Sequence, residues 1–207
     1  MIHCIATDTE LTSIADAIRN ITQSNEKLAF PEGFISAISN IGILINEENN
    51  SIDIKDLIEG TLSEINNEKI SSIRDCAFAY YSNLTTVNLP SCSYIGTEAF
   101  HDCNNLTSIN FPTCQNINGF AFYRCSNLTS ISFPQCSIIE SNAFAYCKNL
   151  ISANFPVCNI IGSYAFQDCF SLTSINFPIC QSINGKAFWE CYSLTTISFP
   201  NCISIKE

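Results

Sequence analysis

Basic residues are scarce in this chain: nine lysines and arginines face nineteen acids, a net charge of −10 at pH 7 over 207 residues. Nucleic acid and anionic membrane surfaces would repel it, which excludes both as general partners. Histidine is scarcer still, with only His3 and His101, so little acid and base chemistry is available near neutral pH. No apolar run approaches the roughly 18 to 20 residues that cross a bilayer as a helix. Phosphate-binding glycine loops and Cys-x-x-Cys pairs are missing, and the start MIHCIATDTELTSI lacks a basic stretch followed by an apolar core, so no secretory leader is expected there. Charged residues make up only 14% and hydrophobic ones 46%, too apolar a mixture for a disordered chain.

What the chain does have is a period. Ala-Phe recurs at 77, 99, 121, 143, 165 and 187, a step of 22 without insertions, and proline keeps the same step at 90, 112, 134, 156, 178 and 200. One unit reads I-x-x-x-A-F-x-x-C-x-x-L-x-x-I-x-F-P-x-C-x-x. Six such units span 73 to 204, a degenerate half-unit covers 62 to 72, and a seventh begins at 205 to 207. Within a unit, Leu106, Ile109 and Phe111 alternate with Thr107, Ser108 and Asn110, the pattern of a short strand with one face buried. A constant step lets each strand lie beside its copy about 4.8 Å away, so the units predict a parallel sheet running along a stack of roughly 30 Å. The A-F-x-x-C segment is expected to form one helical or 3₁₀ turn, and Gly96, Gly119, Gly162 and Gly185 to allow the reverse bend.

The L-x-x-I-x-F-x-x-C segment resembles the leucine-rich-repeat strand motif, with Cys92, Cys114, Cys136, Cys158, Cys180 and Cys202 in its Asn/Cys place. The whole 22-residue unit, A-F-x-x-C included, is similar to the BspA-type leucine-rich repeat of surface and secreted proteins from host-associated bacteria and trichomonads. That resemblance covers 62 to 207. It implies an α/β solenoid, a right-handed superhelix with a parallel sheet on its concave side, and a role in cell adhesion or partner recognition. It implies no catalytic residues and no cofactor.

Residues 1 to 72 carry a net −8 and the rest only −2, so the front is built differently. Thr7 and Glu10 have capping-box spacing ahead of Leu11, Ile14, Ala15, Ile18 and Ile21. Pro31 opens a second amphipathic run that Gly42 can close. A helical pair is therefore expected over 1 to 45, with a linker and N-terminal cap over 46 to 61. Its I-A-D-A-I-R and F-P-E-G-F segments more weakly resemble gut-bacterial and prophage-encoded structural proteins.

Eleven of the thirteen cysteines obey the repeat, and only Cys4 and Cys76 fall outside it. Free cysteine behaves as a small buried hydrophobe, so the thiols are expected to be reduced and interior, with some disulfide or a metal site as alternatives. Free thiols favour a reducing compartment, whereas the family resemblance suggests the cell surface or secretion. The outward strand positions form a neutral face rich in hydroxyls and amides. The later units add Phe170, Trp189 and Tyr192, where earlier units mostly carry smaller or polar residues. The expected binding surface is therefore Ser174, Asn176 and Ser198, flanked by Phe170, Trp189 and Tyr192. The expected function is a non-catalytic scaffold that binds a protein or glycan ligand, with a structural part in a phage-derived or cell-surface assembly as the alternative. The end of the repeat would expose Leu194, Ile197 and Phe199, which could pair two copies tail to tail.

Overall fold

The computed structural model of the protein describes residues 62 to 206. The helical pair expected over 1 to 45 and the linker and cap over 46 to 61 lie outside the described residues. In chain order the strands are β1 (Glu64–Asn66), β2 (Ser72–Ile73), β3 (Thr86–Asn88), β4 (Tyr94–Ile95), β5 (Ser108–Asn110), β6 (Asn116–Ile117), β7 (Ser130–Ser132), β8 (Ile138–Ile139), β9 (Ser152–Asn154), β10 (Ile160–Ile161), β11 (Ser174–Asn176), β12 (Ser182–Ile183), β13 (Thr196–Ser198) and β14 (Ser204–Ile205). Paired strands are parallel and offset by one unit, as in Thr86 opposite Ser108 and Tyr94 opposite Asn116. The result is a parallel β-solenoid of about six turns.

Sequence reasoning expected one sheet; the structure has two ladders. The two-residue strands run unbroken through all seven coils, from β2 to β14. The three-residue strands form two blocks, β1-β3-β5 and β7-β9-β11-β13, with no pairing between β5 and β7. At this seam Ser132 stands where Asn88 and Asn110 extend a chain of amides. Asn88 Nδ2 donates to Asn66 Oδ1 and Asn110 Nδ2 to Asn88 Oδ1, each at 2.7 Å; Ser132 makes no such bond to Asn110, and its hydroxyl instead accepts from Asn154 Nδ2 at 3.2 Å.

The A-F-x-x-C segment is not a helical turn. In a 3₁₀ helix every amide donates three residues back; here alternate amides do so, as Ala99 to Gly96, His101 to Glu98 and Cys103 to Phe100. The amides between them donate to the next coil: Glu98 to Gly119, Phe100 to Ala121 and Asp102 to Tyr123, at 2.8 to 3.0 Å. The alternation needs left-handed backbone at two sites per unit, found at Glu98 and Asp102, at Phe120 and Arg124, and at their equivalents. None of these is glycine. A left-handed non-glycine residue costs about 1 kcal/mol. At each such residue with a following coil, an inter-coil hydrogen bond offsets that cost. Gly96 and Gly162 serve close approach instead of a left-handed bend: a Cβ on Gly162 would sit 2.4 Å from the backbone of Glu140 and Ser141, and one on Gly96 2.5 Å from Arg74 and Asp75.

Inside the coils, the Ala-Phe phenylalanines stack on one another at 5.1 to 5.6 Å with rings within 12° of parallel. The strand-end phenylalanines Phe111, Phe133, Phe155, Phe177 and Phe199 form a second stack, and the two stacks meet edge to face, as Phe144 against Phe155. The second stack is widest at the seam, 6.0 Å between Phe111 and Phe133 against 5.5 Å for the next pair.

Candidate functional site

The outward side chains of the strand ladder alternate hydroxyl and amide because the inward ones are committed to the core. The early coils consume their amides internally, through the chain from Asn66 to Asn110, whereas the threonine hydroxyls of early and late coils alike, at Thr85, Thr107, Thr173 and Thr195, donate to carbonyls of the preceding coil. The late coils differ. Among the described residues, Ser174, Asn176 and Ser198 make no side-chain hydrogen bond. Together with Ser152, Asn154 and Thr196 they line a shallow hollow of about 300 Å³. Its floor includes Ala153 and Ile175, alanine standing where neighbouring coils carry isoleucine. The structure thus brings three of the expected site residues together: Ser174, Asn176 and Ser198.

The aromatics separate into two places. Phe170 and Tyr192 stack at 5.8 Å with planes 10° apart, Lys148 Nζ lies 5.9 Å from the Phe170 ring, and Tyr192 is 75% exposed. Neither residue lines the hollow. Trp189 belongs elsewhere, on the turn ladder, beside Tyr164 at 6.0 Å and beneath Lys186 Nζ at 4.4 Å. It is one member of a band that sequence reasoning missed. Tyr80, His101, Tyr123 and Tyr146 touch ring to ring from coil to coil at 4.9 to 5.2 Å, and Arg124 lies over Tyr123 and Tyr146. The signal was present in the two positions after each Ala-Phe, which are aromatic, polar or charged in nearly every unit. Its variability made it look like an ordinary exposed turn.

A model of the BspA type leucine rich repeat region, in six copies, matches residues 50–160 and 159–207. The chain belongs to the BspA-type leucine-rich repeat family. Solved structures agree: a leucine rich repeat protein of T. pallidum is 29% identical with a TM-score of 0.60, over 66% of this chain and 67% of its own. A leucine rich cell surface protein of Faecalibacterium prausnitzii A2-165 is also 29% identical, TM-score 0.61, over 66% of this chain but only 39% of its own. A leucine-rich repeat protein of Bacteroides ovatus ATCC 8483, at 23% identity and TM-score 0.52, shows the shared fold. No curated protein matches.

In this BspA-type repeat the cysteines are structural. Those at the strand end donate their thiol protons to the carbonyl two residues on, as Cys92 to Tyr94 at 3.2 Å and Cys136 to Ile138 at 3.2 Å. Those of the A-F-x-x-C segment donate 25 residues back, as Cys103 to Phe78 at 3.0 Å and Cys125 to Phe100 at 3.1 Å. Burial pushes the Cys103 and Cys158 thiols up to about 12, so they stay protonated and unreactive. All eleven cysteines in the repeat positions are free. Cys76 corrects the expectation of free thiols throughout: it is disulfide-bonded. It precedes Ala77 at a half-buried turn position outside both thiol ladders. Among the described residues no three histidine, cysteine or acidic side chains gather as metal ligands, and no helix is long and apolar enough to cross a membrane.

Proposed function

We infer that this BspA-type repeat is a non-catalytic, adhesin-like scaffold that holds an extended protein or glycan segment on the strand face of its last coils. The observation that carries this is the hollow between β9, β11 and β13, lined by Ser174, Asn176 and Ser198, where Asn176 and Ser198 keep unused donors and acceptors while their early counterparts Asn66, Asn88 and Asn110 bond to one another. A neutral face of small polar groups suits hydroxyls and peptide amides better than a charged ligand. The stacked Phe170 and Tyr192, outside the hollow, offer an exposed aromatic surface that the same ligand would reach. A surface or secreted location follows the same reading, supported by the cell surface relative at 29% identity.

A glycan array and a peptide library probed with the purified chain test it. Asn176→Lys should abolish capture and leave thermal unfolding within about 1 kcal/mol of the parent, since the side chain is exposed. Capture that persists unchanged in Asn176→Lys and in Tyr192→Ala would remove the strand face from the binding surface. The tail-to-tail pairing of two copies rests on the outer edge of β13, where Ile197 is 46% exposed and Leu194 and Phe199 are half-buried. Light scattering over a hundredfold concentration range should show a dimer that Ile197→Lys dissociates; a monomer throughout refutes the pairing.

A further inference from the structure

Asparagine followed directly by glycine occurs twice in the chain, at Asn118-Gly119 and Asn184-Gly185, in the same place of the unit three repeats apart. Both pairs sit on the turn that leads from the two-residue ladder into the Ala-Phe segment. With no Cβ in the way, a glycine amide can approach the side-chain carbonyl carbon of the asparagine before it, which a larger residue hinders. The fold thus holds one reactive pair in two settings.

At the first setting the asparagine is tied down. Asn118 Nδ2 donates to the Ile95 carbonyl at 2.7 Å, the Asn118 amide donates to the same oxygen at 3.2 Å, and the Gly119 carbonyl accepts from Glu98 at 3.0 Å. The segment that follows is sealed, with Ala121 and Phe122 fully buried. At the second setting the backbone repeats these bonds, Asn184 to Ile161 at 2.9 Å and Tyr164 to the Gly185 carbonyl at 3.1 Å. The half-buried Asn184 side chain, however, makes no hydrogen bond among the described residues. The amides of Gly119 and Gly185 make none there either, so a nucleophile is available at both pairs and the asparagine side chain decides between them. In the first coil the equivalent amide, Thr97, is taken by Asp75 Oδ1 at 2.7 Å; one coil before Gly185 that acceptor place holds Ser163. The segment after Gly185 is looser too, with Phe188 half-buried and Trp189 45% exposed.

We propose that Asn184-Gly185 is a self-modification site, where the asparagine converts to aspartate and isoaspartate and loosens the turn from 184 to 189, while Asn118-Gly119 stays intact. The Gly185 amide nitrogen gives up its proton and attacks Asn184 Cγ. As the new N–Cγ bond closes a five-membered imide, the Cγ–Nδ2 bond breaks and ammonia leaves. Water then opens the imide: addition at Cγ gives aspartate, and addition at the backbone carbonyl gives isoaspartate, whose main chain runs through Cβ. Water is the only co-reactant, and the product carries one more negative charge. At Asn118 the bond to Ile95 opposes the first step, because the side-chain amide must leave that carbonyl before Cγ can turn toward Gly119. Isoaspartate lengthens a main chain whose register is fixed to the preceding coil, by Asn184 on Ile161 and by the Asp168 amide on the Trp189 carbonyl at 2.9 Å. The turn cannot keep both bonds, and Trp189, beside Tyr164 at 6.0 Å, moves with it.

Trp189 is the chain's single tryptophan, so its emission reports this turn directly. The purified chain is incubated in warm, mildly alkaline water enriched in oxygen-18, and conversion at each asparagine is read by peptide mapping and mass spectrometry. In the native chain Asn184 should convert at least tenfold faster than Asn118. In urea, where no carbonyl holds either side chain, the two rates should agree within threefold. Native rates within threefold of each other would overturn the proposal, and so would an Asn184 that converts only in urea. Asn184→Gln keeps a neutral amide but would have to close a six-membered ring; it should show no conversion at 184 and constant Trp189 emission, while the parent's emission shifts in step with its conversion. Parent emission that stays constant through full conversion would refute the loosening.

Discussion

Phe144→Ala tests whether the stacked rings hold the coils together pair by pair. Phe144 is fully buried in a middle coil, stacked on Phe122 at 5.2 Å and Phe166 at 5.4 Å, and crossed by Phe133 and Phe155 at 5.9 Å. Removing the ring opens a cavity that backbone bonded to both neighbouring coils cannot collapse into, so the loss should be about 4 kcal/mol. Phe188 does the same job near the end of the described stack but is half-buried and keeps a coil stack on one side only, with Phe166 at 5.6 Å. Phe188→Ala should therefore cost about 1 to 2 kcal/mol. The total stability of a domain this size is about 5 to 15 kcal/mol, so the first change removes a large part of it. Urea unfolding followed by far-ultraviolet circular dichroism measures both, with Phe144→Leu as a milder variant expected near 1.5 kcal/mol if the alanine form does not fold. Equal losses for Phe144→Ala and Phe188→Ala would refute the reasoning, because a stack stabilised by nearest neighbours must lose more from its middle.

Ten thiols are raised above their ordinary range by burial, Cys92 to about 11 and Cys114 to about 12 among them. The unfolded chain therefore releases these protons first. Their stabilisation is complete below about pH 9 and lost as pH climbs toward the folded values, at about 1.4 kcal/mol per pH unit for each thiol, so alkaline melts should show a steep loss above pH 9. A flat profile to pH 11 would mean that the thiols are exposed. Alkylation of the native protein should leave the nine fully buried cysteines unlabelled, and full labelling without denaturant would contradict their interior placement. Gly162→Ala should lower the melting temperature sharply, since its Cβ would meet backbone at 2.4 Å, whereas Gly119→Ala, with one contact at 3.4 Å, should shift it little; similar shifts would refute the steric account. Hydrogen exchange should find the amides of Phe111 and Thr129, at the seam between β5 and β7, faster than those of Leu89 and Ile151, which bond across coils at 3.0 and 2.8 Å. Equal protection would mean that the seam is closed in solution.

The period of 22 determined the solenoid by itself. Once Leu106, Ile109 and Phe111 must face inward in every unit without insertions, each strand can pair only with its copy, and the buried thiols of the repeat follow from the same step. The neutral strand face was legible for the same reason, because outward residues are what remains after the inward ones are assigned. Period arithmetic cannot say which donors are already spent. Tertiary structure decided that Asn88 and Asn110 bond to one another while Asn176 does not, and that Trp189 lies on the turn ladder, away from Ser174. It also decided the form of the Ala-Phe segment. Helical and alternating left-handed turns place alanine and phenylalanine inward alike, and only bonding to the next coil selects between them.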